Sequence, residues 1–473
     1  MGRALRILGG IGLQEFSFYD HPYFGQLLLA GMLGLVDYPE LVNPANNGSS
    51  VNPYSIEFLY LIPRMLIGIL AVVDTFLIYK IAERRYDNKV GFVSSILFAV
   101  MPATWLTRMI LLDCLLLPFL LSSILLAIYT SAQNNKRNAS VILLSGILLG
   151  LAIFTKIPAF TMIPVVGFLV YTKSNKSLKV LGLWLVPVIL IPLIWPAYAL
   201  SIGEFDRWLD GVTAQTHRIS QPLFFSIESF FRIDPILLII GLAGGTFAAV
   251  KKDILVLIWA IPFLIFLYFI GYVSTFHLIP ILPVVCISTS NLIVEMPDRI
   301  KNNNKRIREL VPFVSVSLIV IFGLVNTTLL ITTSLNFATF ESVAFTVNYL
   351  QQQLQHYNTS NNKHQNNEAI TIISNAYYLW IPQYVFENKD RDITTYRSYD
   401  TKLPVTSKNI LLIVDNGFKD IMSANDKHGK YLRDIYNNST NTLAYFQTLC
   451  DITILGNIHT IVSEKTLYRE KLR

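Results

Sequence analysis

Residues 111–131 read LLDCLLLPFLLSSILLAIYTS, and this run decides what kind of protein the chain is. It has the length of the roughly 20 apolar residues needed to cross a bilayer core. It is apolar all round, so it offers no amphipathic period and belongs inside lipid or a helix bundle. Its one charged residue is Asp113, at its start, and Arg108 lies just upstream.

Working outward, similar runs lie at about 57–81, 89–106, 139–155, 157–171, 179–200, 235–250, 253–271, 276–295 and 311–333. The fourth and fifth of the ten are divided by Lys156-Ile157-Pro158, which predicts a tight hairpin or a partly re-entrant segment. Residues 22–36 form a shorter apolar run, suited to a helix lying at the interface. The 473 residues are 53% hydrophobic and only 15% charged, with a mean hydropathy of +0.48. Soluble domains carry roughly 25% charge. The deficit is concentrated before about residue 333. The expected fold class is an α-helical polytopic membrane bundle with a small C-terminal external α/β domain.

Three regions follow. Residues 1–56 read as an external first loop with a juxtamembrane helix, residues 57–333 as a bundle of about ten helices, and residues 334–473 as a soluble domain. In the last, Ile370–Ser374 and Asn409–Asp415 have the composition of short buried strands, and helical stretches lie near 340–356 and 425–436. Sequons at Asn358, Asn437 and Asn438 suit an external surface.

The net charge of +7 does not indicate a nucleic-acid partner. The basic residues cluster at alternate connections: Arg84-Arg85, Lys136-Arg137, Lys173 to Lys179, Lys251-Lys252 and Arg299 to Arg308. Placing these in the cytoplasm obeys the positive-inside bias. The first loop, residues 107–110, the turn at Lys156, the 201–234 loop, residues 272–275 and the tail then face outward. Ten spans with both ends outside lead to the expectation that one helix upstream of Met1 is missing. Cys114, Cys286 and Cys450 form no Cys-x-x-Cys pair, so no thiolate metal site or disulfide framework is expected.

Ionisable groups at a span edge are functional candidates by default. Asp20-His21 precede the interfacial helix; the plain alternative is a loop acid capping that helix. Arg108 and Asp113 lie at an outer mouth, about 140° apart if on one helix, where an Arg suits a phosphate and an Asp a sugar or acceptor. Lys156 and His277 both adjoin proline breaks on the same side. Asp74 sits inside the first span and is expected to pair within the bundle. Asp206, Arg207, Asp210, His217 and Arg218 lie in a loop long enough to form a lid, without metal-ligand spacing. All four constellations fall on one face of the membrane, which suits a phosphate-linked lipid substrate.

These residues carry a resemblance. Tyr19-Asp20-His21-Pro22-Tyr23-Phe24-Gly25-Gln26-Leu27-Leu28 resembles the DHPPLGKLL segment of the dolichyl-phosphate-mannose protein mannosyltransferase family and the related bacterial aminoarabinose transferases, with Tyr23 and Gln26 in place of Pro and Lys. Arg108 to Asp113 with Pro118, Thr155-Lys156 with Pro158, and His277 to Pro283 are similar to later family elements in the same order. The resemblance implies a GT-C fold and a glycosyltransferase with a polyprenyl-phosphate sugar as donor. It implies inversion at the anomeric carbon, an acid as general base on an acceptor hydroxyl of a protein or glycan, and positive partners for the leaving phosphate. Asp20 and Asp113 are the candidate catalytic residues; His21, Arg108, Lys156 and His277 are the candidate phosphate and substrate ligands. No cofactor is implied with certainty, and a divalent metal stays open. The family's first-loop acid lies upstream of the segment matched here. The Asn- and Ile-rich composition hints at an archaeal source. The competing readings are a lipid-linked saccharide flippase and a non-catalytic scaffold subunit.

Overall fold

The computed structural model describes residues 2–10, 12–14, 19–36, 53–131, 136–216, 223–299, 305–334, 339–359, 370–375, 379, 381, 394–398, 409–423, 426–439, 441–446 and 452–456. Among them the chain is mostly helical. In order run α1 (Gly2–Leu8), α2 (Phe24–Gly34), α3 (Pro53–Arg85), α4 (Asn88–Val100), α5 (Leu112–Tyr129), α6 (Lys136–Thr155), α7 (Ile163–Lys173) and α8 (Leu178–Ser201). Then come α9 (Phe205–Thr216), α10 (Leu223–Ile233), α11 (Pro235–Val250), α12 (Ile254–Ile270), α13 (Leu282–Arg299), α14 (Lys305–Ser334) and α15 (Thr339–Thr359). The rest of the described chain is β1 (Ile370–Ser374), β2 (Thr394–Ser398), β3 (Asn409–Val414), α16 (Asn416–Ser423), α17 (Lys427–Asn438), β4 (Asn441–Phe446) and β5 (Ile452–Gly456).

Each expected span is helical. Among the described residues, six helices are long and apolar enough to cross a membrane, at Glu57–Arg85, Leu112–Tyr129, Lys136–Thr155, Leu178–Ser201, Thr275–Met296 and Leu310–Thr332. Two more segments qualify only as bent pairs: α4 with the 3-10 helix Pro102–Arg108, bent by 74°, and α10 with α11, bent by 118°. Ile157–Lys173 and Ile254–Ile270 are shorter apolar helices. The breaks have local causes. Pro102, Pro158 and Pro235 stand at the first or second position of the element they open, where a missing N–H costs nothing.

The chain divides into two compact units. The first comprises Met1–Leu8, Leu33–Ile62 and Ile331–Arg473. It holds a five-stranded sheet of order β2-β1-β3-β5-β4. β1 pairs parallel with β2 and β3, while β5 pairs antiparallel with β3 and β4. The two strands legible in the sequence, β1 and β3, are the central apolar ones. Ile373, Leu412 and Val414 pack with Phe418 of α16 and Leu432 of α17. A separate cluster joins Leu5, Leu33 and Leu59.

The second unit, Gly9–Met32 and Pro63–Leu330, is the helix bundle. Its helices approach closely through small residues, as membrane interfaces favour. A Cβ on Gly146 of α6 would lie 2.4 Å from the Trp184 carbonyl of α8, and one on Gly244 of α11 would lie 2.6 Å from the Thr289 amide of α13. Ser123 of α5 and Ser145 of α6 donate to each other's carbonyls at 2.8 and 2.9 Å. Asp253 accepts from Arg85 at 3.0 Å and from the Tyr86 hydroxyl, tying the end of α3 to the start of α12.

Candidate active site

Five residues separate Arg108 from Asp113, but they do not share a helix. Arg108 ends the 3-10 turn Pro102–Arg108, whereas Asp113 lies in the first turn of α5. Between them Met109 and Leu111 are extended (φ −86°, ψ 153° and φ −125°, ψ 150°). The 140° expected for one helix therefore does not apply.

Asp113 meets Lys156 instead. α6 ends at Thr155, and Lys156 is extended (φ −156°, ψ 123°) before the next 3-10 turn. That break sends its ammonium to the Asp113 carboxylate, where Nζ donates to Oδ2 at 2.6 Å. Both residues are only 3% exposed. Lys156 Nζ also stands 5.0 Å from the Phe276 ring centroid, a cation–π distance. Lys156 thus does not snorkel to the surface.

Phe276 and His277 belong to the 3-10 turn Thr275–Ile281. His277 Nδ1 accepts from the Ser274 amide at 2.9 Å within a capping box, which fixes the ring beside Phe276. With that nitrogen accepting, Nε2 is the one that carries the proton in a neutral ring. Behind this turn, Trp259 of α12 donates to the Pro280 carbonyl at 3.1 Å.

Arg108 occupies a different surface. Its guanidinium donates to the Ala99 carbonyl at 2.6 Å and lies 5.3 Å from the Trp105 ring. It closes a groove of about 440 Å³ formed by Gly68, Ala71, Thr75 and Phe76 of α3 with Ser95 and Ala99 of α4. Asp74 also departs from expectation: it is buried, and among the described residues its Oδ1 has no hydrogen-bond partner.

Asp20 and His21 are half-buried and precede α2, which starts at Phe24. Their neighbours are held firmly. Tyr19 is fully buried and donates its hydroxyl to Glu204 at 2.8 Å. Tyr23 packs edge-on against Phe154 and Tyr198 at 5.1 and 5.4 Å, and burial pushes its phenol pKa up. Phe154, near the end of α6, lies two residues before Lys156, so the residue that packs on Tyr23 adjoins the break that carries the ammonium.

The 201–234 loop is largely helical rather than irregular. α9 and α10 were not expected there. The signal for α9 was available in Phe205, Trp208 and Val212, which recur at helical spacing. Asp206, Arg207 and Asp210 are exposed on α9, and Arg207 pairs with Glu204 at 3.0 Å. His217 and Arg218 lie outside the described residues. Among the described residues, no group of three or more His, Cys, Asp or Glu side chains is arranged to hold a metal ion.

Comparisons with known proteins bear on the family and the fold. The family model for dolichyl-phosphate-mannose-protein mannosyltransferases matches residues 57–199. The fold is similar to that of ArnT from Cupriavidus metallidurans bound to undecaprenyl phosphate, with a TM-score of 0.50 at 12% identity over 98% of this chain and 94% of that one. It is similar as well to the oligosaccharyltransferase AglB from Archaeoglobus fulgidus, in complex with an inhibitory peptide and a dolichol-phosphate, with a TM-score of 0.50 at 12% identity over 81% of this chain. This chain spans 58% of that protein's length. A comparison with curated proteins found no match.

The chain is therefore a polytopic helical membrane protein whose fold is like that of ArnT and AglB, with a small α/β region near its C-terminus. The resemblance to the dolichyl-phosphate-mannose protein mannosyltransferases and aminoarabinose transferases holds in both the family match and the fold.

Proposed function

We propose that this protein is a membrane glycosyltransferase that moves a sugar from a polyprenyl-phosphate donor to an acceptor hydroxyl on the outer face of the membrane. The buried Lys156–Asp113 pair, with Lys156 against Phe276 of the turn that carries His277, is the observation that carries this reading. A leaving lipid phosphate needs preorganised positive charge in a dry site. Lys156 supplies that charge, and Asp113 orients it. His277 supports the same side of the phosphate from the adjoining turn.

Asp113 is engaged by Lys156 through a 2.6 Å hydrogen bond. Asp20, half-buried in the first loop, is the better general base for the acceptor hydroxyl, with His21 beside it. Arg108 serves the donor from the α3–α4 groove, where the prenyl chain lies along Gly68, Ala71 and Phe76. The family match supports a mannosyl donor, and the acceptor is a protein or glycan hydroxyl. The tail is extracellular in this reading.

Membranes containing the full-length protein should transfer radiolabel from a polyprenyl-phosphate sugar to endogenous acceptors. Absence of transfer from every such donor would defeat the proposal. One observation favours a second reading. The buried Asp74 in α3 is the kind of intramembrane acid a flippase uses. In that case Asp74→Asn would abolish lipid-linked saccharide translocation in vesicles; under the transferase reading it leaves transfer chemistry intact.

A further inference from the structure

We infer that α9 and the turn before it form a fixed strap that positions Asp20, with Tyr19, Glu204 and Gly211 as positioning residues. This rests on the reading of Asp20 as the general base.

Both sides of Asp20 are anchored to the same structure. On one side, the Tyr19 backbone lies directly against α9. A Cβ on Gly211 would stand 2.4 Å from the Tyr19 carbonyl oxygen and 2.8 Å from its carbonyl carbon. No real side chain tolerates such contacts without displacing backbone, so only glycine lets α9 sit there. The Tyr19 hydroxyl reaches Glu204 Oε2 at 2.8 Å, at the turn from α8 into α9. That turn needs Gly203 in the left-handed region (φ +74°).

On the other side, the His21 carbonyl accepts from Gln14 Nε2 at 2.7 Å, and Gln14 Oε1 accepts from Trp195 Nε1 of α8 at 2.6 Å. Trp195 stands edge-on to Trp208 of α9, with ring centroids 5.7 Å apart. The two anchors therefore close through α8 and α9 around a single aromatic cluster of Tyr19, Tyr23, Trp195 and Trp208. A loop held at both neighbours of one residue fixes that residue's backbone. Catalytic geometry is sensitive to this, since a shift near 1 Å in a reacting group costs about 100-fold in rate. The 201–216 segment is in this account a wall of the site rather than a lid that opens.

Steady-state transfer by the full-length protein in proteoliposomes, with a polyprenyl-phosphate sugar as donor, tests this. Asp20→Asn should lower kcat about 100-fold or more. Tyr19→Phe and Glu204→Ala should each lower kcat about tenfold while the donor KM stays within about twofold. Glu204→Gln keeps an oxygen for the Tyr19 hydroxyl and should restore most of the rate. Adding Glu204→Ala to Asp20→Asn should cost nothing further, because residues that act as a unit are not additive. Gly211→Ala should behave like Glu204→Ala or fail to fold; the Tyr19 and Glu204 variants carry the test either way. If Asp20→Asn is inactive but Tyr19→Phe and Glu204→Ala keep wild-type kcat, the strap does not position the base. If Asp20→Asn transfers at the wild-type rate, the assignment of the base is wrong and the strap has nothing to position.

Discussion

Lys156 and Asp113 are two charges sealed inside a membrane protein, and that burial has a measurable signature. Removing one partner of a buried pair leaves an uncompensated charge and costs about 3–5 kcal/mol, whereas replacing both with apolar residues of similar volume is often neutral. Lys156→Met and Asp113→Leu should therefore each lower the melting temperature in detergent, while the double variant recovers most of it. Equal melting temperatures for wild type and both single variants would show that the pair is not buried as described. Each residue was recognisable in the sequence as an ionisable group at a span edge. Their partnership was not, because 43 residues separate them and only the bundle brings α5 and α6 together. Arg108 and Asp113 show the opposite failure. They are near in sequence, and the extended residues between them set them apart.

At the scale of elements, long apolar runs were easy to read, since nothing but a buried or lipid-facing helix accommodates them. The strands β1 and β3 were legible for the same reason. β2 is polar (Thr394–Ser398), while β4 and β5 carry apolar residues mixed with Asn, Thr and Gly, so their pairing depends on neighbours the sequence does not display. α9 was legible in the helical spacing of Phe205, Trp208 and Val212, whereas α10, with Leu223, Phe224, Phe225 and Ile227 in near succession, shows no such clean stripe. How the helices pack was not legible either: glycines at contacts and glycines at lipid-facing positions read alike. The structure separates them. Gly146→Val should destabilise the bundle by about 1–3 kcal/mol through overpacking between α6 and α8. Gly182→Ala meets nothing within 4 Å and should be neutral or slightly stabilising in thermal denaturation.

For the whole molecule, the proposed orientation places the basic connections in the cytoplasm. Single cysteines test it in a background where Cys450 is replaced by Ser; Cys114 and Cys286 are buried. Lys179 and Asn437 are both exposed. A membrane-impermeant maleimide on intact cells should label Asn437→Cys and spare Lys179→Cys until the membrane is permeabilised. The reverse pattern would put the proposed site on the cytoplasmic side. This is the level at which charge in the sequence carried most information, since loop charge is a property of short segments and needs no knowledge of packing.

The central claim is that Lys156, oriented by Asp113, stabilises the leaving lipid phosphate. The most direct measurement is the transfer rate from a polyprenyl-phosphate sugar by the Asp113→Leu/Lys156→Met double variant, purified with a melting temperature close to wild type. The account predicts a folded protein whose kcat has fallen about 100-fold or more, the scale set by loss of one preorganised charge in a dry site. A folded double variant that transfers sugar at the wild-type rate would contradict it.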